Sequence, residues 1–212
     1  MLSEMKRMLI THSLLNAWDY LYKANDEYYD TAYDSFIKAL NRFETLPTKA
    51  MLAGRAFEKL VSDIVFDKEL NSSDEWYIGA SGIADIIKQN CTLEQAKVYK
   101  DMTVNGINYL LYGVLDWLGN GIIYDVKYKE NIGNYSIGDY YDGTQHRMYF
   151  ALVDGADIFE YLISNGHKIY IEKYTRQECN PIEQTIIDFE NWLKLCNLWD
   201  IYFEKWQTKG NE

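Results

Sequence analysis

Apolar residues first recur at helical spacing. In "LLNAWDYLYKA", Leu14, Leu15, Trp18, Leu21 and Tyr22 share one helical face, and Ser13 precedes them as a candidate N-cap. The same period runs through "TAYDSFIKALNRF" and "LPTKAMLAGRAFEKLVSDIVFDK", where Pro47 and Thr48 mark a helix start. The first third therefore predicts helix. "SGIADIIKQN" predicts a short further helix opening at Ser81. The pattern then changes to strands: "KVYKDMTV", "INYLLYGVLDWL" and "IIYDVKY", separated by Asn105-Gly106 and Gly119-Asn120-Gly121, predict a three-stranded antiparallel meander. "GDYYDGTQHRMYFALVD" predicts a helix around Gln145, "IFEYLIS" and "HKIYIEKYT" a second hairpin turning at Asn165-Gly166, and "IEQTIIDFENWLKLCNLWDIYFEKW" one long closing helix from Pro181.

No repeat, low-complexity segment or interdomain linker interrupts this order, so residues 1–212 are expected to form a single domain with an N-terminal helical portion reaching to about residue 90. No apolar run approaches the roughly 18 residues of a membrane span, and the first residues lack the pattern of a signal peptide. A cytoplasmic protein with no membrane partner is expected. Cys91, Cys179 and Cys196 are widely spaced and odd in number, which predicts buried, reduced thiols and no CxxC metal site. The net charge of −11 argues against broad electrostatic attachment to nucleic acid, although a local basic groove, or a metal site neutral only when loaded, is compatible with it.

The chemistry concentrates in "YGVLDWLGNGIIYDVKYKE". With Asn120-Gly121 at the centre of a type I′ turn, Gly119 faces Ile122, and counting back sets Asp116 opposite Asp125 on one face, with Lys127 two residues further along. A three-residue loop would instead put the carboxylates on opposite faces. Glu58, on the third helix one turn after Gly54, offers a third carboxylate, and the missing side chain of Gly54 leaves room beside it. Three carboxylates and an ammonium form an oxygen-rich site for a hard cation such as Mg²⁺ or Mn²⁺, suited to phosphodiester hydrolysis. A solvated hairpin face with an incidental Asp–Lys pair explains the same spacing, and spacing does not decide between them.

"GVLD" followed by "YDVK" resembles the Asp and Asp/Glu-x-Lys elements of the PD-(D/E)XK nuclease superfamily. "QHRMY" is similar to the Gln-x-x-x-Tyr element of its RecB-like exonuclease branch, which includes Cas4-like and phage recombination nucleases. "GRAFE" resembles that branch's Gly-x-x-x-Glu element, and "THSLLNAWDYLYKA" its N-terminal Ser-x-Leu helix. The four elements stand in the family's order across most of residues 11 to 150. The resemblance implies an α/β restriction-endonuclease-like core: a central mixed sheet, built from the meander and the second hairpin, flanked by helices. It implies metal ligation by Glu58, Asp116, Asp125 and the Val126 carbonyl, with Lys127 positioning the attacking water. Gln145 and Tyr149 would line the site and contact DNA. Two departures are plain: three cysteines do not supply an iron–sulfur cluster, and no Pro precedes Asp116.

Lys129 and Arg147 flank the expected site and are candidate DNA contacts or solvated surface charges. Tyr140, Tyr141 and Tyr149 are candidate stacking residues for bases, with core packing as the alternative. His146 adjoins Gln145 but points about 100° away on a helix, so it is not expected at the metal. Trp192, Trp199 and Trp206, seven apart, are read as a structural stripe. The expected function is a metal-dependent DNA exonuclease acting on linear ends in phage-type recombination or repair, consistent with a phage single-strand annealing protein and further copies of the chain as partners. The alternative is a nucleic-acid-binding protein of the same fold that cuts poorly or needs a partner.

Overall fold

The computed structural model describes residues 7–68, 75–90, 93–133 and 135–208. In chain order the elements are β1 (Arg7–Thr11), α1 (His12–Lys23), α2 (Tyr29–Leu40), α3 (Lys49–Val65), α4 (Tyr77–Asn90), β2 (Leu93–Val104), β3 (Ile107–Gly119) and β4 (Ile122–Tyr128). They continue with α5 (Thr144–Leu152), β5 (Ile158–Ser164), β6 (Ile169–Thr175), α6 (Ile182–Leu195), α7 (Trp199–Lys205) and β7 (Gln207–Thr208). Among the described residues the strands make one seven-stranded sheet of order β6-β5-β4-β3-β1-β7, with β2 also on β3. The sheet is mixed, because β1 runs parallel to β3 and β4 parallel to β5 while the other pairs are antiparallel.

Strand alternation sends neighbouring side chains to two cores. Tyr124, Val126 and Leu162 pack with Phe57 and Val61 of α3 and Ile83 and Ile87 of α4. Ile123, Tyr161 and Ile163 face the other way, into the larger cluster with α1, α2, α5, α6 and α7. This is the expected α/β class, a central mixed sheet with helices on both faces.

Four local expectations are corrected. The segment before the first helix is strand β1, whose alternating burial fits it between β3 and β7. Its five residues are too few to announce a period of two against the strong helix that follows. Thr11, extended at φ −119°, caps α1 by accepting the Leu14 N–H at 3.2 Å, so Ser13 lies inside the first turn. Helix α4 starts at Tyr77, ahead of Ser81, because its first turn is anchored from outside: the Gly79 N–H donates to the Gly166 carbonyl at 2.6 Å. The long closing helix is two helices. It stops at Leu195, and Asn197 takes the left-handed conformation (φ 57°) while the Leu198 N–H donates back to the Leu193 carbonyl, a helix-ending arrangement.

The tryptophan stripe does pack internally. The Trp206 indole N–H donates to the Leu40 carbonyl at 2.7 Å, and the Leu9 N–H of β1 donates to the Trp206 carbonyl at 2.7 Å. Thr48 caps α3 by accepting the Met51 N–H, as its position predicts. Cys179 is half-buried and Cys196 exposed, so the expectation of buried thiols does not hold for Cys196, while Cys91 lies outside the described residues. No helix among the described residues is long and apolar enough to cross a membrane.

Candidate active site

The site forms at a fork in the sheet. Strand β2 covers one edge of β3 along nearly its whole length, so β1 and β4 share the other. β1 pairs with Tyr109 to Tyr112, and β4 with Trp117 to Gly119. Between them Gly113 to Asp116 have no strand partner on that edge, and the end of β1 approaches the end of β4. The hairpin turn is the expected one: Gly119 faces Ile122, with φ of 50° at Asn120 and 78° at Gly121. Asp116 and Asp125 are not a bridged pair, however, because the ladder stops at Trp117 and Tyr124. The partner strand is irregular at the same level, since Gln95 has φ 48° and is skipped in the β2 ladder. Asp116 therefore turns into the fork, where Oδ2 accepts the Val126 backbone N–H at 3.1 Å and Oδ1 accepts Gln95 Nε2 at 3.3 Å.

Asp125 is buried, 3% exposed. Its Oδ1 accepts the side-chain amide of Gln145 from the first turn of α5. Lys127 Nζ lies 2.6 Å from Oδ2, an ion pair that compensates this buried oxygen. Glu58 enters from α3 and shares with Asp116 and Val126 a cleft of about 280 Å³. Tyr149, one turn after Gln145, is also buried, and its hydroxyl donates to the free Val114 carbonyl at 2.8 Å. Gly113 makes that approach feasible, because a Cβ there would stand 2.5 Å from the Tyr149 ring.

The charges oppose one another strongly. Burial and then the charge of Asp125 push the Asp116 carboxyl up to about 8. Burial likewise raises Glu58, against the pull of Lys127. For Lys127 burial acts downward, but Asp125 and Asp116 override it and hold the ammonium above the ordinary lysine range, so Lys127 is a charged donor at neutral pH. The Asp116 shift has a thermodynamic consequence. An acid whose folded value lies above its unfolded value of about 3.9 loses stability as pH rises from there to about 8. Asp116→Asn, which keeps an acceptor for the Val126 N–H, is expected to gain on wild type across that window, on the order of 1 kcal/mol or more by pH 8. Thermal melts in EDTA from pH 5 to 8 check this; a constant difference between the two proteins would refute it.

The segment between β4 and α5 is strapped over the site. Glu172 of β6, 2% exposed, accepts the Tyr140 backbone N–H at 3.0 Å and the hydroxyls of Tyr135 and Tyr174. Tyr140 stacks on Tyr161 with centroids 4.3 Å apart, and its hydroxyl feels both Lys127 and Asp125. Lys129 Nζ sits over the Tyr135 and Tyr140 rings at 4.7 and 4.9 Å and 3.5 Å from Asp139.

The expected residues thus divide. Glu58, Asp116, Asp125, Val126, Lys127 and Gln145 come together. Tyr149 joins them as a buried brace between α5 and β3 and is not open to a ligand. Lys129 is held by the strap. Arg147 is directed elsewhere, donating to the Asn180 and Pro181 carbonyls ahead of α6. His146 faces away, as its helical position predicts, stacked on Tyr174 and held neutral by burial, with a value near 4. His12, which no sequence motif marks, also reaches the site. Burial, then Lys127 and His146, hold its imidazole neutral, down to about 3, and its ring lies 6.1 Å from that of Tyr149. The signal was the strand ending at Thr11: a β1 parallel to β3 delivers the next residue into the fork.

No sequence-family model and no curated protein match this chain. Solved structures do share its fold. One is the crystal structure of SSO0001, 13% identical, with a TM-score of 0.50 over 90% of this chain and 77% of that one. Another is LHK-Exo, an exonuclease by its name, solved in complex with dAMP. It is 13% identical, with a TM-score of 0.52 over 92% of this chain and 91% of that one. At this identity the likeness is one of fold.

Proposed function

We propose that this chain is a divalent-metal-dependent deoxyribonuclease that degrades linear DNA from its ends. The observation that carries the reading is the fork, which gathers Glu58, Asp116, Asp125 and a protonated Lys127. The dAMP-bound neighbour of the same fold supports a nucleotide substrate. A recombination or repair role with a phage-type annealing partner belongs to the proposal and rests on sequence resemblance alone.

The donor set fits a hard cation: a buried Asp125 oxygen met by the movable Lys127 ammonium, and an Asp116 carboxyl raised by burial and the charge of Asp125, are the groups such an ion would relieve. Among the described residues no three carboxylate, imidazole or thiol side chains already stand as a metal-ready cluster. Glu58, Asp116, Asp125 and the Val126 carbonyl would hold Mg²⁺ or Mn²⁺, with Lys127 giving up Asp125 Oδ2. The ion would supply polarisation of a phosphoryl oxygen and a water of lowered pKa. The chain's own part is orientation and charge. Lys127 donates to the attacking water or to a phosphoryl oxygen, where negative charge develops. Gln145 holds the Asp125 carboxylate in one rotamer, and Tyr149 fixes the helix that carries Gln145.

The test is degradation of end-labelled linear DNA, single- and double-stranded, beside a closed circle, in Mg²⁺, Mn²⁺ or EDTA. Metal-dependent loss of the linear forms alone is expected. Cutting of the circle would make the enzyme an endonuclease. The second reading, a weakly cutting DNA-binding protein, is favoured by the net charge of −11 and predicts binding without degradation in every metal. Mn²⁺ should also raise the melting temperature with concentration, by about 2.7 kcal/mol of stability at a hundred times Kd. A flat response up to millimolar Mn²⁺ would sink the metal site.

A further inference from the structure

We infer that Arg55 is a phosphate-binding residue of the substrate groove, taking a backbone phosphate next to the one at the carboxylates. The inference rests on the nuclease reading above. Arg55 lies on α3 three residues before Glu58 and lines the same cleft, with Asp116 and Gln95 on the opposite wall. Three residues of helix advance about 4.5 Å and return to the same face, so the long Arg55 side chain reaches toward a phosphate beside the one at the carboxylates.

The other cations near the cleft are engaged. Lys127 pairs with Asp125, and Lys59, also on the cleft wall, with Asp63. Arg55 is exposed and makes no hydrogen bond or ion pair among the described residues, although its charge is felt by Glu58. A long cation left without a partner beside crowded carboxylates in a chain of net charge −11 offers the local attraction a polyanion needs there. Its planar fork matches two phosphate oxygens. One turn further from Glu58 on the same helix, Met51 and Leu52 are exposed at 47% and 52%, apolar surface near Arg55 suited to sugar and base. No atom lies within 4 Å of where a Gly54 Cβ would stand, so the surface between them is open.

Arg55 makes none of the contacts that hold α3, so its replacement should leave the fold intact, which a melt verifies. The experiment measures anisotropy of a labelled oligonucleotide between 50 and 200 mM salt on Lys127→Ala protein, which spares the DNA, with and without Arg55→Ala. About tenfold weaker binding is expected, with the slope of log K against log salt reduced by about 0.7 on single strands or 0.9 on duplex. Arg55→Lys should restore the slope and part of the affinity. In otherwise wild-type protein, Arg55→Ala should raise KM with little change in kcat. Unchanged affinity and slope would overturn the inference, as would weaker binding with an unchanged slope. If wild type cuts DNA and the Arg55 slope does not move, this inference fails alone. If wild type cuts nothing while the slope falls, the nuclease reading fails and Arg55 stands as a phosphate contact of a binding protein.

Discussion

Lys127→Ala is expected to lower the single-turnover rate of DNA degradation by about 10²–10³-fold, the usual cost of removing a preorganised donor from developing negative charge. The side chain acts as an ammonium, because Asp125 and Asp116 hold it protonated against the opposing effect of burial. The loss should therefore appear in kcat more than in KM. Removing it also takes away the cation 2.6 Å from Asp125 Oδ2, leaving two neighbouring carboxylates without their internal counter-charge. The metal-free variant should melt lower than wild type, and its gain from Mn²⁺ should be at least as large, since the ion then replaces the missing charge. Initial rates and melts on the same preparations check both halves. A variant that degrades linear DNA at the wild-type rate would remove Lys127 from the chemistry.

Gly79→Ala is expected to destabilise the fold by about 3 kcal/mol. A Cβ at Gly79 would stand 2.4 Å from Ser164 Oγ and 2.6 Å from the Gly166 carbonyl carbon. The latter is backbone of the turn between β5 and β6, itself held by the Gly79 N–H to Gly166 carbonyl bond, so neither side can give way cheaply. For a chain of this size the melting temperature should fall by about 6–12 °C, at roughly 2–4 °C per kcal/mol. Gly54→Ala is the control. Nothing lies within 4 Å of its Cβ, and in a helix interior the change should stabilise by about 0.5–1 kcal/mol. Thermal melts of the two variants, equal in chemistry and opposite in expected sign, test whether close approach sets the cost.

The elements with strong local grammar were legible in advance. The Asn-Gly turns and alternating apolar residues identify β2, β3 and β4, and Thr48 with the helical period after it identifies α3. Elements decided by distant partners were not. β1 is five residues long and becomes a strand through β3 and β7, far away in the sequence. The start of α4 depends on the Gly166 carbonyl, and the break near Asn197 on one left-handed residue that the continuing apolar pattern conceals.

The same division runs through the site. By itself, the sequence determined which chemical groups this protein can gather: two aspartates and a lysine on one hairpin, a glutamate on an amphipathic helix, and a glutamine and tyrosine one turn apart. These follow from side-chain periods and turn geometry, which are local. Tertiary structure alone decided how those groups meet. It opened the fork between β1 and β4, turned Asp116 onto the Val126 N–H, buried Tyr149 against Val114, sent Arg147 away and brought His12 in. Those outcomes depend on which edge of β3 each strand takes and where each ladder stops, and such pairings are settled by the packing of residues one hundred to two hundred positions apart.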